Sequence, residues 1–228
     1  MDEGHLDIYG QRIRYEFVEK PNLRNSYMRF VDDKLLVVSS SQRRMGTLIE
    51  KHKSWIFRHY NQIKSSIRMF DANSMLFAGK RYYVALRESR ERSVQLNDNV
   101  ILVSGPRGSH DAIVKGWIRA KTLFYAANRL ERKTELLGRE ARQVKARRLR
   151  KWGMCSSKGD ITFNAFLSML PETLLDYVVS HEASHLIHMN HSKDFWETVA
   201  SICPDYKALR KELSKYDNGE RPVGGATA

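Results

Sequence analysis

Four residues in the last third of the chain have the types and spacing that metal chemistry uses. His181, Glu182 and His185 form H-E-x-x-H, and His191 follows six positions after His185. Residues four apart on a helix stand above one another, so two imidazoles at that spacing reach one ion from one face. A helical projection sets Leu174, Leu175, Val178 and Val179 on the arc of His181, Glu182, His185 and Leu186, with Asp176, Ser180 and Ser184 opposite. The three polar motif residues therefore point toward a core, where an unpartnered polar group costs about 1–3 kcal/mol. A metal ion carrying water removes that cost. His191 lies past the expected helix end. A turn at Met189-Asn190 returns it to the same ion, Asn being one of the few residues that tolerate the left-handed conformation such turns use. Three protein ligands with the fourth position left to water describe a catalytic zinc site, not a structural one. His181, His185 and His191 are thus expected to hold one zinc per chain. Glu182 is expected to serve as general base for attack on a carbonyl. His188 sits at a poorer spacing and is expected to support the site or face solvent.

These side chains need elements to hold them. Ser192 is a natural N-cap for a helix over 192–202, whose stripe of Phe195, Trp196, Val199 and Ile202 would pack beside the metal helix. Another helix follows over 204–215. Upstream, the metal helix starts near Pro171, which suits a first turn. Before it a hairpin is expected, 151–156 with 160–163, turned at Lys158-Gly159. Its first strand, Trp152, Gly153, Met154, Cys155 and Ser156, offers an edge onto which an extended peptide adds. A long helix over 109–137 stops at Gly138. The first forty residues read as antiparallel strands, 43–70 as one helix and 75–103 as strands again. No internal repeat is visible. The fold class is α+β: N-terminal antiparallel strands with a helix, then a helical metal-binding part. The expected organisation is 1–107 (β-rich with one helix) and 108–217 (metal-binding), packed as one unit, with a disordered Gly- and Ala-rich tail over 218–228.

The 228 residues are 42% hydrophobic and 29% charged, an ordinary globular composition. No apolar run approaches the twenty or so residues a bilayer requires, so no membrane association is expected. The N-terminus has neither a basic start nor an apolar stretch, and a cytoplasmic location is expected. Cys155 and Cys203 belong to no C-x-x-C pair and read as free, half-buried thiols. The net charge of +13 favours polyanionic partners. Arg142, Lys145, Arg147, Arg148, Arg150 and Lys151 form a run without an acidic residue, a candidate contact for nucleic acid or another polyanion or else a solvated basic face.

Between Arg148 and Leu213 the chain resembles the YgjP-like metallopeptidases, which are related to the WLM and SprT-type zincins. The resemblance rests on Lys151-Trp152-Gly153-Met154-Cys155-Ser156, Gly159-Asp160-Ile161-Thr162-Phe163-Asn164, Asp176-Tyr177-Val178-Val179-Ser180-His181-Glu182, Asn190-His191-Ser192 with Phe195-Trp196, and Pro204-Asp205-Tyr206-Lys207. It implies a zincin-like fold, zinc on His181, His185 and His191, Glu182 as general base, and a peptide or protein substrate. Lys151 stands where the family usually has Arg, Met154 where it has Ser, and Ala183-Ser184 where it has a more apolar pair. None of these departures touches a ligand. Two other readings stay open at this point. The same site would serve a metal-dependent hydrolase of nucleotide phosphoanhydrides, although no Gly-rich phosphate loop is present. The basic run would also serve a nucleic-acid-binding module whose metal is structural or whose site is inactive.

Overall fold

Tyr9 and Gly10 both lie at positive φ, 50° and 77°, the pair of left-handed residues that a two-residue hairpin between right-twisted strands requires. They join β1 (Asp2–Ile8) to β2 (Gln11–Glu19). β3 (Tyr27–Val31), β4 (Lys34–Ser39), α1 (Gln42–Lys51) and α2 (Lys53–Ser65) follow. The computed structural model describes residues 2–31, 33–65 and 67–216 and divides into two compact units, Met1–Ile67 and Arg68–Ala228. This division lies upstream of the one expected at 107, because the strands between them pack with the long helix that follows. The tail expected over 218–228 lies outside the described residues.

In the first unit the sheet order is β1-β2-β4-β3. β2 and β4 are parallel, which corrects the expectation of a wholly antiparallel arrangement. Ile8, Ile13, Leu35 and Val37 form one face, covered by Ile49 of α1 and by Ile56 and Tyr60 of α2. The single helix expected over 43–70 is two. His52 leaves helical geometry at φ −118°, ψ 18°, and its N–H returns to the Ile49 carbonyl. Apolar periodicity runs through the break because both helices bury residues in the same core, and spacing alone does not register one non-helical residue.

The second unit begins with β5 (Phe70–Asp71), β6 (Ser74–Phe77), β7 (Lys80–Glu88), β8 (Ser93–Asn97) and β9 (Val100–Gly105), in the order β5-β6-β7-β9-β8. Within it the first unit's pairing recurs residue by residue. Ile8 opposite Gln11 is matched by Phe77 opposite Lys80, and Tyr15 opposite Leu35 by Val84 opposite Ile101. Glu19 opposite Ser39 is matched by Glu88 opposite Gly105, and Tyr27 opposite Val38 by Ser93 opposite Ser104. The turn recurs as well, Ala78 and Gly79 lying at φ 48° and 77°. A four-strand module followed by a helix thus occurs twice, a repeat the sequence reading missed. Few side chains coincide between the copies, and what recurs is register and turn geometry.

The helix after the second module is α3 (His110–Leu137), closed by left-handed Gly138 at φ 60°. Then come β10 (Gln143–Arg147), β11 (Gly153–Cys155) and β12 (Asp160–Asn164), ordered β10-β12-β11 with β10 and β12 parallel. β10 is a strand where the sequence reading saw only a basic segment. Val144 and Ala146 turn inward while Gln143, Lys145 and Arg147 are exposed, and the charges hid that alternation. A short 3₁₀ turn at Leu167–Met169 leads to α4 (Glu172–Ser184), α5 (Lys193–Ile202) and α6 (Tyr206–Leu213). Pro171 precedes the first turn of α4 as its cap residue. Among the described residues, the sheets and six α-helices make a mixed α+β fold. Among the described residues, no helix is long and apolar enough to cross a membrane.

Candidate metal centre

The site is built on α4, and α4 is anchored before it reaches the site. The amides of Ala78 and Gly79 at the β6–β7 turn donate to the carbonyls of Ser168 and Met169, at 2.9 and 3.0 Å. A Cβ on Gly79 would lie 2.8 Å from Pro171, so only glycine lets the turn close on the start of the helix. On the far side Lys133 of α3 donates to Asp176 and to the Ile202 carbonyl, each at 2.8 Å. Ser180 and Ser184, opposite the ligands, are also buried, and each returns its hydroxyl to the carbonyl four residues back. From Leu174 to Ser184 no residue of the helix is exposed, and the projection that set a polar face against a buried one overstated the contrast.

His181 and Glu182 occupy the last turn of α4, and His185 is its C-cap. Leu186, Ile187 and His188 hydrogen-bond back to Ala183 and Ser184, tightening the chain into a turn. The turn toward His191 needs no left-handed residue: Asn190 is absent from the positive-φ positions, and its side-chain oxygen accepts from the Ser192 amide instead. Ser192 then caps α5, accepting from the Phe195 amide. His181, His185 and His191 come together here, with ligand nitrogens all within 4.8 Å of one another.

Each of the three imidazoles has its own support. The His185 Nδ1 faces the His188 carbonyl at 2.9 Å. This bond selects the tautomer with Nε2 as the free lone pair, the usual outer partner of a metal-binding imidazole. His188 thus contributes its backbone. Phe195 stacks on His185 with centroids 4.5 Å apart, and Trp196 stacks on His191 at 5.8 Å. Behind Trp196 stands Tyr206 of α6, stacked at 5.3 Å, and the Arg210 guanidinium lies 4.9 Å from the indole. His191, exposed and on a loop, is thereby backed by two helices.

The residues fit a divalent cation. His181 Nε2 and His191 Nε2 are 3.2 Å apart, close to the roughly 3.3 Å that two nitrogens span on a tetrahedral ion at about 2.05 Å. His181 Nδ1 and Glu182 Oε2 are buried without a hydrogen-bond partner among the described residues. Burial takes the His181 imidazole down to about 3, with His185, His191 and Arg210 adding positive-charge repulsion. Burial also lowers His185, against the His188 carbonyl, which raises it. Both rings are therefore neutral near pH 7, with lone pairs ready for a cation. Burial pushes the Glu182 carboxyl up to about 8, with Lys151 acting against it, so the group would need a cation beside it to be held as carboxylate near pH 7.

Gly153 is the residue that admits Glu182. A Cβ there would stand 2.6 Å from Glu182 Oε1, 2.7 Å from Cγ and 2.8 Å from the carboxyl carbon. A glycine inside a strand pattern signals such close approach, and the sequence reading placed it only in a substrate strand. Of that stretch, only Gly153–Cys155 is strand, and it forms one edge of its sheet. Met154 is 41% exposed, while Trp152, Cys155 and Ser156 are half-buried. Beside the ligands a cavity of about 170 Å³ is lined by Lys151, Trp152, Gly153, Tyr177, Val178, His181, Glu182 and Leu213. Tyr177, one helical turn before His181, could have been found from its spacing alone.

The residues of the basic run have different neighbours. Arg142 pairs with Asp160 and holds that carboxyl below its ordinary value, with Lys145 contributing. Lys151 reaches the cavity beside Glu182. Arg147 and Arg148 line a separate cleft. Arg150 is exposed.

The family model for the YgjP-like metallopeptidase domain matches residues 29–216, nearly the whole described chain. The chain belongs to the YgjP-like metallopeptidase family. No curated protein matches it. Membership marks the protein as a metal-dependent hydrolase and peptides or proteins as its substrate class. The three-histidine cluster is the described group able to hold the metal a YgjP-like enzyme requires.

Proposed function

We propose that the protein is a zinc peptidase of zincin-like architecture, with one zinc per chain on His181, His185 and His191 and with Glu182 as general base. The observation that carries this reading is three convergent imidazole nitrogens within 4.8 Å, in the same helix turn as a buried Glu182 oxygen that has no hydrogen-bond partner among the described residues. An all-imidazole set of three ligands suits zinc and leaves a coordination position open. When bound, zinc supplies Lewis acidity, lowering the pKa of a water and polarising the scissile carbonyl.

The remaining work falls to the chain. The His188 carbonyl and the Phe195 and Trp196 rings hold the ligand imidazoles in place. Glu182 Oε2 takes a proton from the attacking water and returns it to the leaving amine. Gly153 leaves the carboxylate room to stay there. The edge of β11 aligns an extended peptide by main-chain hydrogen bonds, and the cavity between Trp152, Tyr177 and Leu213 receives one of its side chains.

Metal analysis and a paired Glu182→Gln variant test the reading. The parent should carry about one zinc and cleave casein. The variant should keep the metal and lose activity by roughly 10²–10⁴, the scale of a lost general base. Undiminished cleavage by Glu182→Gln would remove Glu182 from the mechanism, and faster turnover of nucleoside triphosphates than of casein would reassign the substrate.

A further inference from the structure

The cavity beside Glu182 holds two polar groups that the mechanism above leaves unused, the Lys151 ammonium and the Tyr177 hydroxyl. Tyr177 is 4% exposed. Its hydroxyl makes no hydrogen bond among the described residues, yet it is not one of the unpartnered atoms sealed from solvent. Tyr177 lines the cavity, so that is where the hydroxyl meets water. Lys151 likewise has no ion pair or side-chain hydrogen bond among the described residues.

Both residues are set on fixed backbone. Buried Asn164 donates from its side chain to the Lys151 carbonyl at 3.1 Å and from its amide to the Trp152 carbonyl at 2.9 Å. Gly153, next along, is paired with Phe163 in the sheet. Tyr177 stands one turn before His181 on α4, its ring edge-on to that imidazole at 6.1 Å. The remaining walls are apolar, from Trp152, Val178 and Leu213.

This lining discriminates between side chains. A wholly apolar one would bury the walls well but cover the Tyr177 hydroxyl without replacing its water. A lysine or arginine would meet the Lys151 charge. A carboxamide offers an oxygen but also brings donors toward the ammonium. A carboxylate only accepts, and it matches both uncommitted donors, while a short apolar stem fits the walls. Glu182 is the one acidic group in the cavity. In the peptidase reading its charge is set against the zinc, which leaves Lys151 to set the sign of the remainder.

We propose that Lys151 and Tyr177 select a substrate residue with a side-chain carboxylate, glutamate or aspartate, beside the bond that is cut. This deepens the peptidase reading and rests on it.

A randomised peptide library digested by the full chain as purified tests the proposal, with the cut sites read by mass spectrometry. Asp and Glu should be enriched at one position next to the cut. Defined peptides with Glu, Gln, Leu or Lys at that position then give kcat/KM. Glu should exceed Gln by about tenfold, the scale of one charge-assisted hydrogen bond, and Lys should be cut slowest. Lys151→Met should bring the Glu-to-Gln ratio to about one, and Lys151→Arg should retain it. Lys151 also acts on Glu182, so its loss slows every substrate, and the ratio cancels that common effect. Tyr177→Phe keeps the ring and should reduce the lead of Glu over Leu by about threefold to tenfold. Leu cut faster than Glu, or a Glu-to-Gln ratio unchanged by Lys151→Met, overturns the proposal.

A binding measurement separates that failure from failure of the peptidase reading. Titrating a blocked glutamate amide into isotope-labelled protein should shift the Gly153 amide and the Trp152 indole resonances, and Lys151→Met should remove the effect. Equal shifts with the blocked glutamine amide overturn the proposal. A chain that shows the Lys151-dependent shift but cuts no peptide would refute the peptidase reading and leave the carboxylate site standing. A chain that cuts peptides without favouring acidic residues would do the reverse.

Discussion

Gly153→Ala isolates the position of the proposed base from its chemistry. The added Cβ would lie 2.6–2.8 Å from three atoms of Glu182, against 3.4–4 Å for ordinary contact. Something must therefore move by more than half an ångström. The β11 backbone is paired to Phe163 in the sheet, and Glu182 is 4% exposed in a packed site, so neither gives way freely. Overpacking of this kind costs about 1–3 kcal/mol of stability. A misplacement approaching 1 Å costs up to about 10² in rate. The three nearest atoms are all from Glu182 and none from a histidine, so zinc content should stay at the parent level while kcat on casein falls roughly 10- to 100-fold. The double variant with Glu182→Gln completes a cycle. If alanine acts through the carboxylate, it should add little once the base is gone. A full additional loss in the Gln background would show that Gly153 acts through the substrate strand instead. Parent-level turnover, or loss of zinc, would refute the reasoning outright.

Replacing His181, His185 or His191 by Ala should abolish stoichiometric zinc, whereas His188→Ala should retain it, since His188 serves through its carbonyl; metal analysis of the four variants decides. Trp196→Ala should weaken zinc affinity by about 10- to 100-fold, the usual effect of removing an outer support, and competition with a fluorescent chelator would expose a tryptophan without that role. The Cys155 thiol is pushed up to about 11 by burial, with Glu182 and Asp160 adding to it. Only the thiolate reacts, so alkylation of folded protein at pH 8 should run about 100-fold slower at Cys155 than in urea, and should rise with pH until near 11. Such a raised group stabilises the fold below its unfolded pKa and loses that contribution as pH climbs through the folded value. Equal labelling rates in the two states, read by mass spectrometry, would contradict the burial argument.

The convergence of the three histidines was legible because H-E-x-x-H encodes its geometry in the helix period, and because His191 precedes a recognisable cap at Ser192. What was illegible depends on approach between segments distant in sequence. Nothing local tells that Gly153 abuts Glu182 or that the β6–β7 turn closes on Pro171. Parallel pairing was hidden for the same reason. β2 with β4, β7 with β9 and β10 with β12 each enclose an antiparallel strand between them in sequence, and alternation reports a strand's faces but not its neighbours. At His52 and Asn190 the sequence pattern was real, and the local backbone took another route to the same packing.

The recurrent strand module shows how one local geometry acquires a task through its surroundings. Tyr9-Gly10 and Ala78-Gly79 share the same turn, yet a Cβ on Gly10 would meet nothing within 4 Å, and Tyr9 is 63% exposed. In the second copy the turn gives both amides to the segment before α4 and presses its glycine on Pro171. That contact sets where α4 begins, and the helix then carries the position rigidly to His181 and Glu182. His191 has no comparable anchor in the sheets. Its position depends on Trp196, Tyr206 and Arg210 across α5 and α6. The two halves of the histidine cluster are therefore held by different means, one by a buried helix fixed at its start and the other by a stack of rings at the surface. Metal affinity should accordingly be far more sensitive to changes in α5 and α6 than to equally conservative changes on the exposed face of the strand module.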